Sequence, residues 1–310
     1  MLIMINRVST IPAPNGCACD QTGAHDRAHS GLTHEVAFGY PRDFLWNKFV
    51  YFVISPRAHG LSIGLNVNPV ANCNLNCLYC EVDRSVKPQW ERLDINRMTK
   101  ELEEMIELAQ GGWLRKWPRY TNLPDDLLQL RHVALSGDGE PTLSNNLLEA
   151  ARSVVHLRQL GRSFKIVLVT NSTALDRPIV QETLSLLGKE DEIWAKLDGG
   201  TQEYINKING SSVSLEKILK NILLVARQRP VVIQSLFPAI NGKEPSAFEI
   251  KEYAERLKEL KDAGANISLV QIYSATRPSA RDGCSHLPLK SLSRIAKTVR
   301  SVSGLRAEVF

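Results

Sequence analysis

From Leu61 onward the hydrophobic pattern alternates between two periods. Short runs rich in β-branched and apolar residues, at 61–67, 132–136, 165–170, 192–197, 231–237 and 266–273, have the length and composition of strands. Each is followed by a segment with apolar residues at i, i+3, i+4 and i+7, at 98–109, 147–160, 178–187, 215–227, 248–260 and 289–302. That is the stripe of a helix burying one face. Six strand–helix pairs predict parallel βα units. The fold class is therefore α/β, a partial (β/α)6 TIM-like barrel, with a doubly wound sheet as the alternative. Helix starts are marked by Ser144, by Asp176 ahead of Pro178, by Ser214, and by Ser246 with Glu249 in capping-box spacing. Residues 44–54 form an apolar stretch leading into Ser55-Pro56. The first 43 residues have no hydrophobic period and are rich in Gly, His, Asp and Ser, which predicts a loose N-terminal arm. The barrel domain is expected over 44–310, with an insertion near 111–126.

Composition narrows the class. With 310 residues, 43% of them hydrophobic and 23% charged, the chain has a globular balance and not the signature of disorder. Lys and Arg total 38 against 33 Asp and Glu, a net charge of +5, too mild to demand a nucleic-acid ligand. No run approaches the roughly 18 to 20 apolar residues of a membrane helix, so a soluble, cytoplasmic protein without membrane partners is expected. Its six cysteines are too few for a disulfide scaffold. In a reducing compartment, clustered cysteines bind metal or do redox chemistry more often than they pair.

Three of the six, Cys73, Cys77 and Cys80, fall in the loop Pro69-Val-Ala-Asn72-Cys73-Asn-Leu-Asn-Cys77-Leu-Tyr-Cys80-Glu81, directly after the first strand of the repeat. In parallel βα architectures, ligand chemistry collects at this carboxyl edge. Asn72, Asn74 and Asn76 suit the turn and left-handed conformations that wrapping a small inorganic centre requires. Three thiolates are one short of the four donors of a closed structural zinc site, whereas an iron–sulfur cluster with one unliganded iron keeps a position open. Structural zinc with a distant fourth ligand and buried non-ligand cysteines are the plainer readings.

Cys73-x-x-x-Cys77-x-Tyr79-Cys80 resembles the signature of the radical S-adenosylmethionine (SAM) enzymes. The turn Gly137-Asp138-Gly139-Glu140 after the second strand resembles their Gly-Glu motif for the SAM amino group. The blocks at 60–66, 136–143, 169–172, 194–200 and 271–278 resemble a group of iron–sulfur oxidoreductases related to the tRNA wyosine-base synthases. The resemblance spans roughly residues 45 to 300, as one barrel of the radical SAM type. It implies a [4Fe–4S] cluster on Cys73, Cys77 and Cys80 with SAM on its fourth iron. Reductive cleavage would give a 5′-deoxyadenosyl radical that takes hydrogen from a substrate. It also implies an external one-electron donor of flavodoxin or ferredoxin type. Tyr79 is placed near the adenine or packs under the loop. Asn171 and Ser172, with Lys196 and Asp198, are candidates for the SAM carboxylate and ribose hydroxyls, the last two alternatively a structural ion pair. Gln234, Gln271, Tyr273 and Arg277 are candidates for the substrate side.

The remaining features divide less sharply. Cys17-Ala-Cys19 with His25, His29 and His34 is either a second metal or cluster site or part of an unstructured arm. Only two cysteines stand where wyosine-type enzymes carry more. Cys284 reads as a bystander. The stretch Trp113-Leu-Arg115-Lys116-Trp117-Pro-Arg119-Tyr120 interleaves cations and aromatics as single-stranded nucleic-acid binders do, or is a solvated loop with its aromatics tucked onto the barrel. The substrate is thus left open between a tRNA base and a peptide or protein, with a non-catalytic electron carrier as the reading from another class.

Overall fold

The computed structural model describes residues 44–88, 91–210, 213–276 and 279–310. The expected N-terminal arm, with Cys17, Cys19, His25, His29 and His34, lies outside the described residues, as does Arg277. Within them, eight strands stand side by side in chain order: β1 (Val50–Ser55), β2 (Gly60–Asn66), β3 (Leu130–Ser136), β4 (Lys165–Thr170), β5 (Glu192–Lys196), β6 (Val231–Leu236), β7 (Ile267–Tyr273) and β8 (Ala307–Val309). β2 to β8 run parallel, and β1 pairs antiparallel with β2. The helices of eight or more residues are α1 (Ile95–Gln110), α2 (Leu147–Gln159), α3 (Pro178–Ser185), α4 (Gln202–Asn209), α5 (Leu215–Ala226), α6 (Ala247–Asp262) and α7 (Leu289–Ser303). The six expected strands occur within two residues of their expected ends. The sheet has two edges, β1 and β8, so the barrel is partial, with one antiparallel and one further parallel strand added to the repeat.

The period-2 alternation sorts side chains onto two faces. Ile63, Leu65, Val133, Leu135, Ile166, Leu168, Ile193, Ile233, Val270 and Ile272 join helix residues such as Leu102, Met105, Val154, Ile222, Leu257 and Ile295 in the main core. Their strand neighbours point the other way. There, Ala134, Val167, Trp194 and Val232 form a small separate apolar cluster, with Val169 and Leu269 packed against it. Lys196, Gln234, Gln271 and Tyr273 share that inner face by alternation. A sheet face away from the helices that carries polar groups is where this fold has room for a ligand.

Helix starts follow local chemistry, with exceptions. The Ser214 hydroxyl accepts from Lys217 N at 3.2 Å and the Ser246 hydroxyl from Glu249 N at 3.1 Å. The capping box is only half made, because Glu249 turns away and accepts from Gly200 N at 2.5 Å and the Thr201 hydroxyl at 2.6 Å. Ser144 does not cap α2: Asn146 holds that place, and the Ser144 hydroxyl donates to Val67 O at 2.7 Å. Arg177, not Asp176, precedes α3; Asp176 instead faces Lys217 at 3.7 Å. The helix α4 was not expected from the periodicity. Thr201 caps it by accepting from Tyr204 N, and Gly210 ends it at φ +55°.

Candidate active site

The cysteine loop leaves β2 and is fastened on several sides. Gly139 N donates to Asn68 O at 3.1 Å and Glu140 N to Asn72 O at 2.9 Å. Asn76 N and Leu78 N donate to the carbonyls of Asn209 and Ile208 at 2.7 and 2.8 Å, and Ala280 N to Cys80 O at 2.8 Å. The loop's left-handed residue is Ala71, at φ +56°, and not one of the three asparagines expected there. Asn72 and Asn76 act through their backbone, and Asn74 through its side chain: Asn171 Nδ2 donates to Asn74 Oδ1 at 3.0 Å. Cys73, Cys77 and Cys80 are free thiols, each half-buried. Two receive an amide donor, Cys73 from Asn171 Nδ2 at 3.6 Å and Cys77 from Asn209 Nδ2 at 3.2 Å. Burial, with Asp198 nearby, pushes the Cys77 thiol up to about 11.

The Gly137–Glu140 turn packs directly on this loop. A Cβ on Gly139 would lie 2.3 Å from Asn72 O and 2.6 Å from Asn72 N, so only glycine allows the turn and the loop to meet. The Glu140 carboxylate, expected to face an ammonium group, is turned inward and is 4% exposed. Oε1 accepts from Thr142 N at 3.1 Å and from the Thr142 and Thr170 hydroxyls at 2.6 Å each, and Oε2 accepts from Asn171 N at 2.8 Å. Burial pushes this carboxyl up and the four hydrogen bonds pull against it. Glu140 therefore ties the ends of β3 and β4 together. The more accessible carboxylate is Asp138, which accepts from Asn66 Nδ2 at 2.6 Å.

At the end of β5, Lys196 Nζ lies 3.4 Å from Asp198 Oδ1 and donates to the Tyr273 hydroxyl at 3.0 Å. Burial opposes the Lys196 charge, yet Asp198 and Tyr273 carry its pKa above the ordinary value. Asp198 also accepts from the Tyr79 hydroxyl, from Asn209 Nδ2 at 3.1 Å and from Leu236 N at 3.0 Å. Burial, reinforced by Asp198, raises the Tyr79 phenol well above its usual range. Ser172 takes a different part from the one expected. It is buried at φ +68°, and its hydroxyl donates to Lys196 O at 3.0 Å, joining the ends of β4 and β5.

No family model matches the chain. Over 176 residues it is 30% identical to a UPF0026 protein of Synechocystis, covering 56% of this chain and 57% of that one. Its architecture is similar to that of TYW1 with a lysine-pyruvate adduct bound, with a TM-score of 0.50 and 19% identity over 78% of this chain and 74% of that one. It is also similar to Streptococcus suis SuiB bound to S-adenosylmethionine, with a TM-score of 0.54 and 15% identity over 82% of this chain and 52% of that one. It shares with these two proteins a fold of parallel strands alternating with helices, open at both edges of the sheet. This chain spans little more than half the length of the Synechocystis relative and of SuiB.

On this fold, the expected residues 73–80, 137–140, 171–172, 196 and 198 collect around the carboxyl ends of β2 to β5. Gln234 and Gln271 do not face outward for a ligand: Gln234 Nε2 donates to Gln271 Oε1 at 2.9 Å and both are buried. Asn209 was missed. It is 2% exposed, and one amide reaches Cys77, Asp198 and, at 3.4 Å, the Tyr79 hydroxyl. Among the described residues, no three His, Cys, Asp or Glu converge on a position for a single metal ion. A cubane cluster makes a different demand, since its cysteines ligate separate irons. Free thiols on one loop, two with amide donors on sulfur, match that chemistry. Cys284 pairs its backbone with Ile240 in a short antiparallel bridge.

The basic stretch is largely absorbed by packing. Tyr120 is buried edge-on to Phe52 at 6.4 Å, and Trp117 packs against the main core. Arg115 pairs with Asp125 and donates to the Thr121 and Leu123 carbonyls, both at 2.9 Å. Lys116 Nζ sits 3.9 Å over Trp113, the aromatic of this stretch that stays exposed. The Arg119 side chain lies outside the described residues. No helix among the described residues is long and apolar enough to cross a membrane.

Proposed function

We propose that this chain is a radical SAM enzyme, with Cys73, Cys77 and Cys80 holding a [4Fe–4S] cluster. When bound, that cluster supplies the electron that cleaves SAM to methionine and a 5′-deoxyadenosyl radical, which takes hydrogen from a substrate. One observation carries the reading: the three-cysteine loop is hydrogen-bonded into the strand ends that also present Asp138, Asn171, Lys196 and Asp198. Asn171 and Asn209 direct amide hydrogens at two of the sulfurs. Glycine at 137 and 139 lets backbone approach, and Asp138 and the Lys196–Asp198 pair offer charges of both signs for the ammonium and carboxylate of SAM. The small cluster around Trp194 gives part of the inner face an apolar lining. The electron donor is expected to be a separate flavodoxin- or ferredoxin-type protein. The burial of Tyr120 and the packing of a partly buried Trp117 against the core take up two of the aromatics that an RNA substrate would need for stacking.

Anaerobic reconstitution with iron, sulfide and a reductant tests this. SAM is expected to yield methionine and 5′-deoxyadenosine in equal amounts, and Cys77→Ala is expected to lose the cluster's visible absorbance. A cluster that assembles without turning over SAM would leave an electron carrier in place of an enzyme. An unchanged spectrum in the variant would refute the ligand assignment.

A further inference from the structure

Arg57 sits in the turn between β1 and β2, and its guanidinium reaches the inner face. Its Cζ lies 4.2 Å from the centroid of the Tyr273 ring. Among the described residues it has no carboxylate partner and no hydrogen-bond acceptor. Other cations of the inner face are matched: Lys165 lies 3.1 Å from Glu192, and Lys196 lies 3.4 Å from Asp198. A guanidinium held over an aromatic ring still has N–H groups that the ring does not engage, and its fork can give two parallel hydrogen bonds to one planar anion.

The surroundings add to this. Lys196 meets the same tyrosine, 3.0 Å from its hydroxyl and 5.4 Å from its ring centroid. Two cations thus gather on Tyr273 with one carboxylate, Asp198, paired to Lys196, an excess of one positive charge. Asp198 meets Tyr79, Asn209, Leu236 N and Lys196, and none of these contacts brings it to Arg57. Arg57, Lys196 and Tyr273 each stay partly exposed, open to a small ligand. The contacts also set Arg57 apart from the cysteines: Cys77 touches Asn209, which touches Asp198, then come Lys196, Tyr273 and, last, Arg57.

We propose that Arg57, stacked on Tyr273 beside Lys196, binds a carboxylate group of the substrate, and so selects substrates that carry one on the side remote from the cysteine loop. This deepens the radical SAM reading and rests on it for the word substrate. A monoanionic carboxylate suits the single excess charge, and its planar pair of oxygens suits the guanidinium edge.

The test is an arginine-selective Nε–H NMR titration of the reconstituted, oxidised full chain with SAM at saturation, using acetate in one arm and inorganic phosphate in the other. One arginine signal, absent from Arg57→Gln, is expected to shift saturably with acetate and at higher concentrations with phosphate. In Arg57→Gln no arginine signal should move, and thermal unfolding should report a folded chain. The proposal is overturned if acetate leaves the Arg57 signal unmoved. It is equally overturned if phosphate shifts that signal at tenfold lower concentration than acetate, which would make it a phosphate site. Acetate binding seen without SAM but abolished by SAM would assign Arg57 to the cofactor's own carboxylate and also sink the proposal. Arg57→Lys gives the same signal assignment where Arg57→Gln fails to fold. A chain that binds acetate at Arg57 but does not cleave SAM would keep this site and lose the radical reading; the converse result would lose the site alone.

Discussion

His132 lies on β3 at 5% exposure, its ring edge-on to Trp194 with centroids 5.1 Å apart. Burial, aided by repulsion from Arg57 and Lys165 and only partly opposed by Glu192, pushes its pKa down to about 4. An unfolded histidine titrates near 6.5. Between these values the unfolded chain binds a proton that the folded chain refuses, so stability falls as the pH falls. The contribution is complete above about 6.5 and is lost on the way down to about 4. The unfolding free energy is expected to drop by about 2 kcal/mol from this site between pH 7 and pH 5. Denaturant melts of the wild type and His132→Gln at both pH values measure it; the same drop in the variant would remove His132 as the cause. Little of this was legible beforehand. His132 falls in a strand-like run, but nothing local tells which face it takes. Asn209 was hidden for a related reason, since its partners Cys77 and Asp198 are brought to it by the fold and not by spacing. The cysteines, by contrast, declare themselves through a short interval that needs no tertiary knowledge.

The cysteine loop owes its shape to its neighbours. Its fastenings come from the turn after β3, from the end of α4 and from Ala280. Gly139→Ala places a methyl group against the Asn72 backbone, where no flexible side chain can give way. A loss of roughly 1–3 kcal/mol is expected from such overpacking, together with reduced iron and sulfide per chain after reconstitution. Gly188→Ala is the control, because its nearest contact would be Asp191 Oδ2 at 3.5 Å. Equal iron content in the two variants would show that the loop does not depend on the turn. At this scale the long helices were legible because each shows several turns of apolar period. The helix α4 was not, since Gln202–Asn209 offers only Ile205 and Ile208 as buried apolar residues. Ser246 and Glu249 show the limit of motif reading: the spacing located the cap, but the carboxylate found better donors at Gly200 and Thr201.

The repeat itself was the most legible feature of the whole molecule, because six βα units state the same local pattern and each confirms the next. The edge strands β1 and β8 escaped it. They lie outside the repeat, and β8, only three residues long, becomes a strand by pairing with β7. This organisation leads to an expectation for hydrogen exchange. The amides of β3 to β7, paired on both sides, should be the slowest in the chain. Residues 73–80, held by scattered contacts, should exchange faster and slow down on cluster assembly while the strands stay unchanged. A uniform change across the sheet would mean that the cluster stabilises the fold globally instead.

The sheet's two faces carry separate apolar clusters, the large one shared with the helices and the small one around Trp194. Heritable change can therefore fall on Arg57 or Tyr273 without passing through the packing that holds the helices on. A lineage built on this scaffold is free to exchange one substrate for another by relining the inner wall, while the cysteine loop and the outer shell are inherited unaltered.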